Sequence, residues 1–271
     1  MAPPELNATI SERIDLGPEL MLIRVVPNGW EIPQFKPGQF AILGLPGSAA
    51  RGGYSMPDVK HPDPNKFIQR AYSIASTPLN KNYLEFYITL VRDGALTPRL
   101  WCLRMADRLY LSAKISGHFV MDDIPEDQNV VFIATGTGIA PFTSMVQTFL
   151  KPNMKRRFAL LHGVRQSQDL GYRSDMLAFE RICPNFNYFP IISRERDDPV
   201  PWKGPIGRVQ HILTEGLLEK AWGFKPSPAN THFFMCGNPK MILEVTDLLK
   251  NDGFTEDKKE APGQIHIEKY W

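Results

Sequence analysis

Near residue 121 the hydrophobic periodicity of this chain changes once, and that change limits the available folds more than any other feature. Up to that point β-rich or alternating runs dominate: Leu20–Val26, Gln39–Leu45, Phe67–Ser76, Leu84–Val91 and Arg108–Ile115. Turn-formers such as Pro27-Asn28-Gly29 and Lys36-Pro37-Gly38 separate them. Short strands at this spacing predict an antiparallel barrel or sandwich. One helix is expected, over Leu96–Met105, with Pro98 near enough to its start to be tolerated. Further on, strands alternate with helices: strand Val130–Thr135, helix Ile139–Leu150, strand Phe158–Gly163 and helix Ser174–Ile182. Strand Tyr188–Ser193, helix Val209–Trp222, strand Thr231–Cys236, helix Lys240–Lys250 and strand Gln264–Glu268 complete the series. That alternation predicts a parallel sheet covered on both faces. The expected fold class is therefore two-domain, β + α/β: an N-terminal antiparallel β-barrel over residues 1–121 and a C-terminal parallel-sheet α/β domain over 129–271. Met121–Asn129, acidic around Pro125, reads as a solvated linker. Gly44–Lys66 has four glycines, four prolines and little periodicity, and reads as a lid or mobile excursion.

Charge and cysteine usage exclude several function classes. Lys plus Arg number 31 and Asp plus Glu 29, a balance of +2 that predicts no general affinity for nucleic acid. Cys102, Cys183 and Cys236 have neither metal nor iron–sulfur spacing, and an odd count argues against a disulfide framework. A reducing, cytoplasmic setting is expected, since no apolar run approaches the ~18 residues of a membrane span and the first residues do not form a signal peptide. The six histidines form no pair at i, i+3 or i+4, and there is no Gly-x-Ser-x-Gly, so no metal site and no hydrolase triad is expected.

Gly136-Thr137-Gly138-Ile139-Ala140-Pro141 follows a strand and opens a helix, the position at which backbone N–H groups can receive a pyrophosphate. Pro141 stands where the full dinucleotide fingerprint has a third glycine, so a plain tight turn is an equally good reading. Arg165 and Arg194 come just after successive strands, at the edge where open α/β sheets bind ligands. Cys236-Gly237-Asn238-Pro239 repeats the strand–turn–helix pattern. In the first half, Arg70 and Tyr72 fall on one strand face, a cation beside a flat aromatic that would suit a heteroaromatic ring with a phosphate tail. Tyr270 and Trp271 are expected to pack on the protein or on a ligand.

In order, these pieces resemble the ferredoxin–NADP(H) reductase family, in its bacterial ferredoxin/flavodoxin branch. The matching motifs begin with Arg70-Ala71-Tyr72-Ser73, Glu85-Phe86-Tyr87, Leu96-Thr97-Pro98-Arg99-Leu100 and Ala134-Thr135-Gly136-Thr137-Gly138. They continue with Ser193-Arg194-Glu195, Gly207-Arg208, Cys236-Gly237-Asn238-Pro239 and Glu268-Lys269-Tyr270-Trp271. The resemblance implies an FAD-binding barrel followed by an NADP-binding α/β domain, and electron exchange between NADPH and ferredoxin or flavodoxin. It implies a monomer without membrane or nucleic-acid partners.

Carried over by residue, the resemblance puts Arg70 on the FAD pyrophosphate, Tyr72 against one flavin face and Ser73 near the reacting nitrogen. Ala71 and Tyr87 fall in the same cofactor-binding motifs, and Ala95, Leu96 and Thr97 would offer N–H and hydroxyl groups to the phosphates. Thr137 would lie at the junction of FAD and nicotinamide. Arg165, Ser193, Arg194 and Arg208 would form the 2′-phosphate pocket. Gly237, Asn238 and Pro239 would line the nicotinamide end, with Cys236 beside the transferred hydride. Glu268 matches a carboxylate near the flavin. Tyr270 would cover the other flavin face and Trp271 the adenine. Two rival readings are an NADH-dependent reductase component of an oxygenase system and a flavin-holding electron-transfer subunit without nicotinamide turnover.

Overall fold

The computed structural model describes residues 5–58 and 62–269. The chain divides into two compact units, Met1–Val120 and Met121–Trp271.

The first unit contains β1 (Ala8–Gly17), β2 (Leu20–Pro27), β3 (Phe40–Pro46), β4 (Phe67–Ser73), β5 (Leu84–Thr89), the short helix α1 (Thr97–Leu100) and β6 (Arg108–Leu111). They form a six-stranded antiparallel sheet in the order β4-β3-β6-β1-β2-β5. Just beyond β4, Ala75 N–H donates to the Glu85 carbonyl of β5 at 2.8 Å, which draws the two ends of the sheet together into a barrel-like form. One face of the sheet is buried: Ile10, Met21, Ile23, Val25, Leu43, Phe86 and Leu109 pack together inside.

In the second unit all strands run parallel, in the order β11-β10-β7-β8-β9. The strands are β7 (Asn129–Thr135), β8 (Phe158–Val164), β9 (Phe186–Ile192), β10 (Thr231–Cys236) and β11 (Ile265–Glu268). Helices α2 (Ala140–Phe149), α3 (Arg173–Ile182), α4 (His211–Thr214), α5 (Leu217–Trp222) and α6 (Pro239–Asn251) connect them. Every residue of β8 is buried, as expected of a strand covered on both faces. The chain reverses its direction of travel across the sheet at β7, which β8 and β10 flank, so the carboxyl ends there form the natural ligand edge.

Four expectations are corrected. β1 has no counterpart among the expected strands: its burial alternates only at Ala8 and Ile10, and register shifts follow at Ile10/Glu12 and Asp15/Gly17. The helix expected over Leu96–Met105 stops at Leu100, because Cys102 and Leu103 N–H turn to carbonyls three residues back and Ala106 adopts φ 72°. The helix expected over Val209–Trp222 is two, split at Gly216 with φ 65°, a conformation that suits glycine. Met121–Asn129 is not a solvated linker: Met121 and Ile124 are buried, and Arg156 donates to the carbonyls of Ile124 and Pro125.

Candidate functional site

The ligand edge of the parallel sheet is built from two glycine turns locked together. Gly136 leaves β7 at φ +54° with open space where a Cβ would stand, and a single turn of 3-10 helix over Gly136–Ile139 runs into α2. Across from it, Gly237 takes φ +140° after β10, and a Cβ there would lie 2.1 Å from the Thr135 hydroxyl. That hydroxyl accepts the Asn238 N–H at 2.7 Å. A Cβ on Gly138 would meet the Cys236 carbonyl oxygen at 2.2 Å, so this glycine is required by close backbone approach. Asn238 caps α6, its side chain accepting the Lys240 N–H at 2.8 Å, and Pro239 occupies the first helical turn.

A histidine that the sequence did not mark as functional supports the first turn. His162 is fully buried on β8, with Nε2 3.3 Å from the Gly136 carbonyl and Nδ1 3.2 Å from the Tyr188 hydroxyl. A carbonyl can only accept, so Nε2 carries the proton and Tyr188 donates to Nδ1. Burial pushes the imidazole down to about 4, against a smaller opposing effect of the Gly136 bond, and keeps it neutral. A lone histidine in the apolar run Phe158–Val164 gives no sequence signal beyond its presence.

The arginines expected at this edge come together. Arg194 N–H donates to the Arg165 carbonyl at 2.9 Å, so the two residues sit side by side past β8 and β9. Neither guanidinium has an acidic partner among the described residues. Gly207 N–H donates to the Ile192 carbonyl at 2.8 Å, which brings the segment carrying Arg208 against the end of β9. Arg208 itself lies 3.4 Å from Glu244 of α6, a carboxylate that also accepts from Gln210. The Ser193 hydroxyl, next to Arg194 in sequence, donates to the Val164 carbonyl at 3.2 Å.

Cys236 and Glu268 are register partners on β10 and β11, and the Cys236 thiol donates to Glu268 Oε2 at 3.6 Å. The thiol is completely buried. Thr137 is half-buried in the 3-10 turn. Tyr270 and Trp271 lie outside the described residues.

In the first unit, β4 presents Arg70 and Ala71 to solvent, while Tyr72 packs in part against the core. Burial raises the Tyr72 phenol well above its ordinary value, partly offset by Arg70, so the ring is an uncharged surface. Ser73 ends the strand opposite Phe40. Tyr87 is buried on β5. The Thr97 hydroxyl donates to the Val91 carbonyl and accepts the Val91 N–H, at 3.1 and 3.0 Å. The N–H groups of Ala95, Leu96 and Thr97 have no protein acceptor among the described residues, and together with Arg70 they fit an anionic diphosphate.

No helix among the described residues is long and apolar enough to cross a membrane, and no cluster of three potential ligands for a metal ion is present among them. Residues 132–247 match the oxidoreductase NAD-binding domain family. The chain is 33% identical over 246 residues to a flavodoxin/ferredoxin–NADP reductase of Buchnera aphidicola (subsp. Schizaphis graminum), covering 89% of this chain and 90% of the relative. It is 30% identical over 249 residues to a ferredoxin–NADP reductase of Pseudomonas aeruginosa, covering 87% and 86%. The crystal structure of a ferredoxin NADP+ reductase from Neisseria gonorrhoeae with bound FAD and NADP superposes with a TM-score of 0.81 at 24% identity, over 98% of both chains. Kinship at that level spans both units, and the chain is an oxidoreductase belonging to the flavodoxin/ferredoxin–NADP reductase family.

Proposed function

We propose that this chain binds FAD through its first unit and NADP(H) through its second, and exchanges electrons between NADPH and a ferredoxin or flavodoxin. The observation that carries this reading is the pairing of Arg165 with Arg194 at the ligand edge, two cations without acidic partners among the described residues beside a pair of glycine turns. The names of the relatives, with ferredoxin or flavodoxin in each, support the choice of electron carrier.

Bound FAD supplies the redox chemistry, converting between the two electrons of NADPH and the single electrons of the carrier. The chain's own residues bind and orient. Arg70 and the N–H groups at 95–97 take the FAD diphosphate, Tyr72 offers a flat neutral face to the ring system, and Ser73 offers a hydroxyl at the end of β4. Arg165 and Arg194 take the 2′-phosphate, and Arg208 joins them by exchanging Glu244 for the ligand. Gly136 admits the dinucleotide to the backbone because it has no side chain, and Gly237 lets the second turn press against Thr135. Cys236 keeps its proton on Sγ, directed at Glu268, so the thiol stays an uncharged surface beside the nicotinamide site. Tyr270 and Trp271 keep the ring-covering roles that the resemblance implies. A monomeric, cytoplasmic protein completes the reading.

The test is an anaerobic titration of the purified yellow protein with NADPH and, separately, with NADH, followed in the visible flavin band. Bleaching at much lower NADPH than NADH, followed by reoxidation on adding ferredoxin or flavodoxin, is the expected result. A preference for NADH moves the chain to the oxygenase-reductase reading. A colourless protein that takes up no FAD overturns the proposal.

A further inference from the structure

Beyond Leu45 and Ala49, which pack on the barrel core, the described stretch 44–58 is held by charge. Asp58 sits between two arginines: Arg51 at 2.8 Å and Arg99 at 2.7 Å, with all three side chains no more than 13% exposed. Each guanidinium then reaches the same piece of backbone. Arg51 donates to the carbonyls of Gly94 at 2.8 Å and Arg92 at 3.0 Å, and Arg99 donates to the Ala95 carbonyl at 2.8 Å. Among the described residues this carboxylate faces two guanidiniums, both turned toward the segment 92–95.

The carbonyl and the following N–H of a trans peptide point in opposite directions in one plane. Drawing the Gly94 and Ala95 carbonyls inward therefore turns the N–H groups of Ala95 and Leu96 outward. Those are N–H groups without a protein acceptor among the described residues. Arg99 is buried and Arg51 largely covered, so their N–H groups need acceptors in the protein, because an unpaired guanidinium donor is costly to bury.

We propose that Asp58 is a positioning residue for the flavin diphosphate: it locks Arg51 and Arg99 onto the turn at 92–95, and so aims the turn's N–H groups at the phosphates. Stretch 44–58 is then the brace of the cofactor site, neither lid nor excursion. This rests on the reading of residues 95–97 as the phosphate-binding segment.

The experiment measures the FAD dissociation constant, by recovery of flavin fluorescence on dilution of the holoprotein, for the unaltered chain, Asp58→Asn and Arg51→Gln. Arg51→Gln is the milder change, since it leaves the Asp58–Arg99 pair intact while releasing the Gly94 and Arg92 carbonyls. Both variants are expected to weaken FAD binding by about tenfold or more, the equivalent of ~1.4 kcal/mol. Asp58→Glu should recover part of the loss, and FAD should raise the melting temperature of each variant less than that of the unaltered chain. If Asp58→Asn fails to fold, Arg51→Gln decides alone. Unchanged FAD affinity in Arg51→Gln overturns the proposal and makes the clamp a stability element only. If the unaltered chain binds no FAD, the functional reading has failed rather than the brace.

Discussion

In the parallel sheet the strand ends gather Gly136, Arg165, Arg194 and Gly237 by topology. In the antiparallel sheet Arg70, Tyr72 and Ser73 lie along one strand, and the turn at 92–97 has to be aimed by side chains. The second unit braces its ligand edge with a neutral contact, His162 between Gly136 and Tyr188. The first unit uses ions, the buried Arg99 with the largely covered Arg51 and Asp58. A parallel fold supplies a ligand edge wherever its strands stop; an antiparallel barrel must build one from its loops, and this barrel does so with charge.

The sharpest way to break that contrast is acid. His162 is held at about 4 by burial, and His266, packed between His232 and Asp257, is lowered to about 4 by the same cause. A histidine whose folded value lies below its unfolded ~6.5 contributes stability that is complete above that value and is lost as pH falls toward the folded one. Between pH 7 and 4.5 the second unit should lose ~2 kcal/mol through His162, and a further share through His266. Among the described residues the first unit has only His118, which is exposed. Hydrogen exchange read separately in the two units should show protection failing first in the second; equal loss in both would remove the distinction.

A smaller effect compares glycines. At Gly138 a Cβ meets backbone atoms of Cys236 at 2.2 and 2.6 Å, which cannot yield without moving the second turn. At Gly44 of the barrel, the nearest atoms are the Gln69 and Tyr110 side chains at 3.0 and 3.2 Å. Gly138→Ala should cost about 2–3 kcal/mol and raise the KM for NADPH, while Gly44→Ala should cost under ~1 kcal/mol, both read by denaturant melts.

The smallest effect sharpens the ligand edge itself. Arg194→Ala should raise the KM for NADPH roughly tenfold, about one charge-assisted hydrogen bond reduced by solvent exposure, and leave that for NADH within about twofold. Equal changes for both cofactors in steady-state assays would place Arg194 outside the phosphate pocket.

How much of this was legible in the sequence differs between the units for the same reason. Apolar periodicity marked β7, β8 and β10 nearly to the residue, because strands buried on both faces leave runs such as Val-Val-Phe-Ile-Ala. It missed β1, whose Glu12, Arg13 and Asp15 follow a bulge in a half-exposed strand. The acidic residues of 121–129 masked the buried Met121 and Ile124, and nothing local marked the bond from Arg156, thirty-two positions later, to the Ile124 carbonyl. Arg165 and Arg194 could be placed by topology alone, whereas the hydroxyl partners of Ser193 and Thr97 could not, since a hydroxyl turns to whichever carbonyl is nearest. Nothing local marked Asp58, because its partners lie seven and forty-one positions away.

The Thr135 hydroxyl that receives the Asn238 N–H joins the turns after β7 and β10 across 103 positions of sequence. With Gly138 pressed on Cys236 and Gly237 on Thr135, neither turn can drift alone. Replacements at Thr135, Gly138 and Gly237 should therefore show epistasis: a second change adds little once the first has parted the turns. Under selection these positions would be inherited as a block, a single trait written in two distant places.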